Sequence, residues 1–298
     1  MDRDRRRRPR RRWPLRAGGV LIVLSACAAG AIGVADLAAA GRPGADVDPF
    51  ATTPMRAFLR GRAGNISAAL YNIRTGATFL YRPGVREQTA SIVKVDILAT
   101  LLSEAQDHDA LLSGEEQYLA AGMIEQSSDL DATTLWADAG GASAIGAFDR
   151  SIGMTQTTPD PQGYWGETLT TARDQIRLLR VIALRNDVLH YNWRASELYL
   201  MENVIPFDDW GVSAGPPEHV SVALKNGWVP IVADDWQVNS IGAVAGDGRD
   251  YLLAVLTSGD DGKSYGVDTI DGISRIVWSA LKPANATTVT TGTNGASA

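Results

Sequence analysis

The chain has 298 residues, 45% hydrophobic and 21% charged, which fits a folded globular body and excludes a wholly disordered or collagen-like chain. Its formal net charge of −6 is uneven: residues 1–16 carry nine arginines and two aspartates, leaving −13 on the remainder. An acidic body argues against a nucleic-acid partner, the single cysteine excludes an intrachain disulfide, and the three scattered histidines give no metal-ligand spacing.

The basic arm is followed by Ala17–Ala35, nineteen residues without a charge. A basic stretch before an apolar one reads as an export signal, and this one is just long enough to span a bilayer as a helix. Leu24-Ser25-Ala26-Cys27 resembles a bacterial lipobox, which would lipidate Cys27, while Ala38-Ala39-Ala40 offers a signal-peptidase site. Residues 1–40 are therefore expected to be a signal peptide or membrane anchor. Residues 41–53 follow as a Gly/Pro/Asp linker, 54–282 as the folded domain and 283–298 as a disordered tail. The body is expected outside the cytoplasm, as a secreted, anchored or lipidated monomer.

Within the domain, a short helix is predicted over Pro54–Arg62 and strands over Ile66–Ile73 and Ala77–Tyr81, joined by Arg74-Thr75-Gly76. Ser91–Leu102 reads as a strongly apolar helix, with further helices at 115–126 and 129–139. Thr171 with Asp174 resembles a capping box opening a helix to about Leu184, and another covers Ser196–Val204. Strands follow at Ser221–Asn226, Trp236–Val244 and Asp250–Thr257, then a helix from Tyr265 to Leu281. Strands at both ends of the domain bracket a helical middle. The expected fold is α+β, an antiparallel sheet flanked by helices plus an all-helical subdomain.

Three short segments carry the chemistry. In Ser91-Ile92-Val93-Lys94 the helical i,i+3 spacing puts an amine one turn from a hydroxyl. A serine is a weak nucleophile until a base takes its proton, and a lysine is a base only when burial or a second cation lowers its pKa. The second segment is Ser127-Ser128-Asp129 and the third is Lys225-Asn226-Gly227, placed on a strand. In this order they resemble the S-x-x-K, S-x-N and K-[TS]-G motifs of penicillin-recognising serine enzymes, in particular the class A β-lactamase-like family of exported actinobacterial proteins. The resemblance covers Pro54 to Lys282 and implies a β-lactamase/transpeptidase-like fold.

It further implies that Ser91 is acylated, Lys94 is its base, and Ser127 passes a proton to the leaving nitrogen. Lys225 would attract the substrate carboxylate and help keep Lys94 neutral. The backbone N–H groups of Ser91 and Trp228 would form an oxyanion hole, and Asp129, Asn226 and Gly227 would line the substrate. No metal or organic cofactor is implied, and the substrate would be a β-lactam or a peptidoglycan-like acyl donor. The chain also departs from the pattern. Asp129 or, if Ser128 is the matching serine, Leu130 replaces asparagine, and Asn226 replaces threonine or serine. Within residues 160–175, which hold Thr170-Thr171-Ala172, Glu167 is the only glutamate, with no long loop to place it as a deacylating base. Slow deacylation is expected, with a non-catalytic binding protein or a peptidase or esterase as alternatives. Gly211-Val212-Ser213-Ala214-Gly215 matches a nucleophile elbow, but Pro216-Pro217 forbids the helix an elbow requires. Trp165, Trp210 and Trp228 are expected at the cleft.

Overall fold

The computed structural model describes residues 46–232 and 235–283; the basic arm, the apolar run with Cys27 and the expected tail beyond 283 lie outside the described residues. The described chain forms a five-stranded antiparallel sheet in the order β2-β1-β7-β6-β5, comprising β1 (Asn65–Asn72), β2 (Thr78–Tyr81), β5 (Ser221–Val232), β6 (Asp235–Gly246) and β7 (Arg249–Asp260). A two-stranded ribbon pairs β3 (Glu87–Gln88) with β4 (Leu169–Thr170). This is the expected α+β architecture.

The central strand β7 reads as an unbroken apolar run because both of its faces are covered. Leu252, Ala254 and Leu256 join the core under the helical half, while Tyr251, Leu253 and Val255 join a second core. The first core is built with α2 (Val93–Asp107), α3 (Gly114–Glu125), α4 (Asp129–Asp138), α5 (Gly141–Ser151), α6 (Ala172–Ala183) and α7 (Tyr191–Glu202). The second packs α1 (Thr53–Arg60) and α8 (Lys263–Ala280) on the opposite face of the sheet. Thr171 caps α6 by accepting a hydrogen bond from Asp174 N at 3.2 Å.

Several boundaries differ from expectation. The expected linker ends earlier than Thr53: Asp48 caps a 3-10 turn at Pro49–Ala51, and Phe50 is buried against the α8-side core. Helix α5 was not anticipated, because Gly140, Gly141 and Gly146 make its sequence a weak helix former. Helix α7 starts at Tyr191 rather than Ser196; the charged Arg194 and Glu197 occupy its buried face and hide the apolar periodicity. Strand β5 runs past Asn226 to Val232. Gly227 and Pro230 disfavour a strand, yet an edge tolerates them, and the register shifts between Pro230 and Val232.

Candidate active site

Ser91 does not begin a regular α-helix. It sits in a 3-10 turn, Ala90–Ile92, that runs into α2. Ala90 has a left-handed φ of 45°, so the chain bends sharply just before the serine. The turn is held from β6, where Asn239 Nδ2 donates to Gln88 O at 2.8 Å and to Thr89 O at 3.0 Å. It is also held from β5: a Cβ built on Gly227 would lie 2.7 Å from Ser91 N and 2.9 Å from Ile92 N. Gly227 was expected to leave room for substrate. Instead its missing side chain is filled by the backbone of the Ser91 turn, which only glycine admits.

Lys94 is fully buried, and its Nζ reaches Ser91 Oγ at 2.9 Å, Ser127 O at 2.7 Å, Ser127 Oγ at 3.2 Å and Asp129 Oδ1 at 2.7 Å. An ammonium has three protons, so four oxygens compete for them. Ser127 has φ 56°, a strained value for a residue with a side chain, and the strain turns both its carbonyl and its hydroxyl onto Lys94. Ser128 is employed elsewhere: its Oγ caps α4 by accepting from Asp131 N at 3.3 Å. Of the two serines, Ser127 is therefore the one at the site. Lys225 Nζ donates to Ser127 Oγ at 3.0 Å and to Asn226 O at 3.1 Å. Ser91, Lys94, Ser127 and Lys225 thus form one hydrogen-bonded chain.

Burial pushes the Lys94 amine below its ordinary value, and the Asp129 carboxylate opposes that shift. Burial and the neighbouring Lys94 charge bring Lys225 down to about 7, against the pull of Asp208 and Asp129.

The period of two along β5 separates the rest of the motif. Lys225 and Gly227 face the Ser91 side together with Ala223, while Asn226 and Trp228 face the α8 side with Val222. Asn226 was expected to line the substrate. It is buried instead, and its Nδ2 donates to Asp208 O at 2.7 Å and Trp210 O at 3.0 Å, which ties the 208–210 loop to the strand. The Trp228 ring meets Phe207 and Trp210 there, each at 6.0 Å between centroids.

Glu167 ends a 3-10 turn, Trp165–Glu167, and is exposed; its carboxylate makes no hydrogen bond among the described residues. The short segment presents Trp165 inward, with Lys94 Nζ 4.9 Å from its ring centroid and its indole N–H donating to Thr133 Oγ1 at 3.2 Å. The G-x-S-x-G pentapeptide is a packing turn: Val212 N donates to Ser240 Oγ and Gly215 N to Ser274 Oγ, which anchors it on β6 and α8. Asn239, Asp208 and Trp165 Nε1 carry contacts that sequence reasoning did not assign. The pairing of Asn239 with the Ser91 turn spans 150 residues and has no local signal. Among the described residues, no cluster of three or more His, Cys, Asp or Glu is placed to hold a metal.

Comparison with known proteins agrees with this architecture. Mycobacterium tuberculosis and Mycobacterium bovis proteins named "Putative lipoprotein LppW" are 27% identical over 180 residues, 58% of this chain and 57% of their own length. The match thus spans little more than half of those relatives. The TLA-1 extended-spectrum β-lactamase superposes with a TM-score of 0.68 at 14% identity, covering 76% of this chain and 95% of that one. A β-lactamase from Xanthomonas campestris gives 0.66 at 19% identity, covering 76% and 96%. At these identities the likeness is one of fold. The family model described as "Beta-lactamase enzyme family" matches residues 117–281, more than half of the chain, and the chain belongs to that family.

Proposed function

We propose that this chain is an exported serine hydrolase that forms an acyl-enzyme on Ser91 with β-lactams or related cell-wall amides and releases it slowly. The observation that carries this reading is the hydrogen-bonded chain from Ser91 through Lys94 and Ser127 to Lys225. Lys94, its amine pushed down by burial, takes the Ser91 proton as Oγ attacks the acyl carbon. The C–N bond then breaks, and Ser127 delivers a proton to the departing nitrogen, replenished from Lys225 or Lys94. Gly227 draws the β5 backbone against Ser91 N, and the N–H groups of Ser91 and Trp228 stabilise the oxyanion, a contribution of about 3–4 kcal/mol when such a donor is removed. Deacylation has weaker support, since Glu167 is exposed and unbonded, and Trp165 occupies the inner side of its segment.

In this proposal residues 1–40 export the body and tether it to the membrane, as the names of the mycobacterial relatives suggest for those proteins. Among the described residues no helix is long and apolar enough to cross a membrane. A second reading, a binding protein without turnover, is favoured by one contact: Asp129 at 2.7 Å holds Lys94 toward its charged form. Intact-mass analysis after mixing with a penicillin, followed over time, decides between them. The expected result is a single adduct on Ser91 that decays slowly, absent in Ser91→Ala and unchanged in Glu167→Gln. An unmodified wild-type chain would leave the binding reading in place, and fast steady turnover lost in Glu167→Gln would refute slow release.

A further inference from the structure

A buried carboxylate close to the two lysines of the site has no task in the reaction described so far. Asp208 is 2% exposed, and its Oδ1 has no hydrogen-bond partner among the described residues. Taking a carboxylate out of water without such partners is costly. The backbone of the residue, by contrast, is fully used. Asp208 N donates to Ile205 O at 2.8 Å, and Asp208 O accepts from Asn226 Nδ2 at 2.7 Å and from Trp210 N at 3.2 Å. These backbone bonds tie the 205–210 loop to β5, so the fold does not account for the acid.

The charge of Asp208 acts on Lys94 of α2, on Lys225 of β5 and on Lys263 of α8. Burial in turn pushes the Asp208 carboxyl up, and the charges of Lys225, Lys263 and Lys94 pull it back down. On Lys225 it pulls harder than Asp129, the other acid that acts on that amine. The physical reason is hydration: the Asp129 side chain is 75% exposed and screened by water, and Asp208 is not. Lys225 Nζ donates to Ser127 Oγ and Asn226 O, and no carboxylate is bonded to it among the described residues. Its charge is therefore balanced by an acid that acts through space.

We propose that Asp208 is a positioning residue for proton transfer: its buried carboxylate is the fixed counter-charge that keeps a proton on Lys225 for delivery to Ser127. The inference rests on the reading of Ser91 as an acylated nucleophile. As the C–N bond breaks, Ser127 Oγ gives its proton to the departing nitrogen and takes one from Lys225 Nζ, 3.0 Å away. Lys225, left neutral, is recharged by the proton that Lys94 took from Ser91, passed through Ser127 Oγ at 3.2 Å from Lys94 Nζ. The net change is one proton moved from Ser91 to the nitrogen, and both lysines end as they began. Without the Asp208 charge, burial and the nearby Lys94 would strip Lys225 of its proton at neutral pH. Asn226, the residue next to Lys225, fixes the carbonyls of Asp208 and Trp210, so the acid and the lysine are held on one frame.

The test needs no acyl donor. The sequence has four lysines, Lys94, Lys225, Lys263 and Lys282, so lysine-selective ¹³Cε NMR of the full-length protein gives few signals. The Lys225 signal is assigned by its loss in Lys225→Arg. It should titrate near 7 in the wild type, and its midpoint should fall by about one unit in Asp208→Asn, which keeps the size of the side chain. Asp208→Ala should shift it in the same direction, and Asp129→Asn should shift it less. In Asp208→Asn the alkaline limb of Ser91 acylation should move to lower pH by the same amount, whereas a merely structural loss would lower the rate equally at every pH. A Lys225 midpoint unchanged in both Asp208 variants overturns the proposal, as does a larger shift in Asp129→Asn. If the wild type forms no adduct while the midpoint moves, the acyl-enzyme reading fails and the counter-charge stands. If the adduct forms and the midpoint stays, the counter-charge fails and the acyl-enzyme reading stands.

Discussion

Helix α2 buries charged side chains on two opposite faces, and the two faces are treated differently. On one, Lys94 is surrounded by oxygens of Ser91, Ser127 and Asp129. Two residues on, and about half a turn around the helix, Asp96 faces Asp149 of α5 and Glu197 of α7. There the charges are alike: the Asp96 and Asp149 carboxyl groups bond to each other, and neither oxygen of Glu197 has a hydrogen-bond partner among the described residues. Opposite charges let a buried group stay ionisable and be tuned by its neighbours. Like charges with no cation between them are buried only as neutral acids, so burial raises Asp96 and Glu197 far above the carboxylate range and brings Asp149 to about 7. The first face gathers an amine with two hydroxyls, and the second makes folding depend on pH.

The largest expected effect isolates the first face. Lys94→Met should slow Ser91 acylation by about 10²–10⁴-fold while leaving the melting temperature unchanged or higher, because replacing a buried amine by an apolar side chain of similar length removes a desolvation cost. Asp129, 75% exposed, remains hydrated when its partner is gone. Stopped-flow acylation and thermal melting of the same variant check both halves, and a variant that loses stability along with rate would show that Lys94 is structural.

The second face should respond in the opposite way. Asp149 titrates near 7 when folded against an ordinary 3.8, so between about pH 4 and pH 7 the folded chain holds a proton that the unfolded chain has released. Stability is therefore complete below that window and falls as pH rises through it, by at most about 1.4 kcal/mol per pKa unit. The Asp174 charge pushes Asp149 further up, while the hydrogen bond from Asp96 and the charge of Arg150 pull it down; Asp96 and Glu197, themselves raised by burial, add to the slope in the same direction. Asp149→Asn should flatten the fall in melting temperature between about pH 4 and pH 7 without changing acylation; a wild-type profile already flat there would refute the assignment of neutral acids.

The smallest effect sharpens the boundary between the two faces. Among the described residues Asp129 is the one acid bonded to Lys94, and it raises the amine's pKa. Asp129→Asn should therefore move the acid limb of the acylation pH profile to lower pH, by about one unit or less given the exposure of Asp129. At neutral pH this is a gain of a few-fold, read from acylation rates across pH 5–9. A shift to higher pH would show that the carboxylate serves acylation rather than restraining it.

Most of the fold was legible because its signals are local. The apolar run of β7 and the cap at Thr171 are each set by a few adjacent residues. The i,i+3 spacing of Ser91 and Lys94 was enough to put amine and hydroxyl together. Where local signals conflicted, the reading failed. The glycines of α5 and the buried Arg194 and Glu197 of α7 hid one helix and shortened another. At Asn226 the information was present: a period of two puts it opposite Lys225, but the motif resemblance suggested a ligand-facing side chain.

The sequence by itself therefore determined the ordered motifs, the antiparallel sheet with its helical insert and the pairing of Ser91 with Lys94. These follow from residue spacing within single elements, whose geometry is fixed. Tertiary structure alone decided the rest. It chose Ser127 over Ser128, spent Gly227 on the Ser91 turn and Asn226 on the 208–210 loop, brought Lys263 against Trp228, and set Asp149 and Glu197 against Asp96. Each of those outcomes joins residues far apart along the chain, and their contacts depend on how separate elements pack, which no local pattern of side chains encodes.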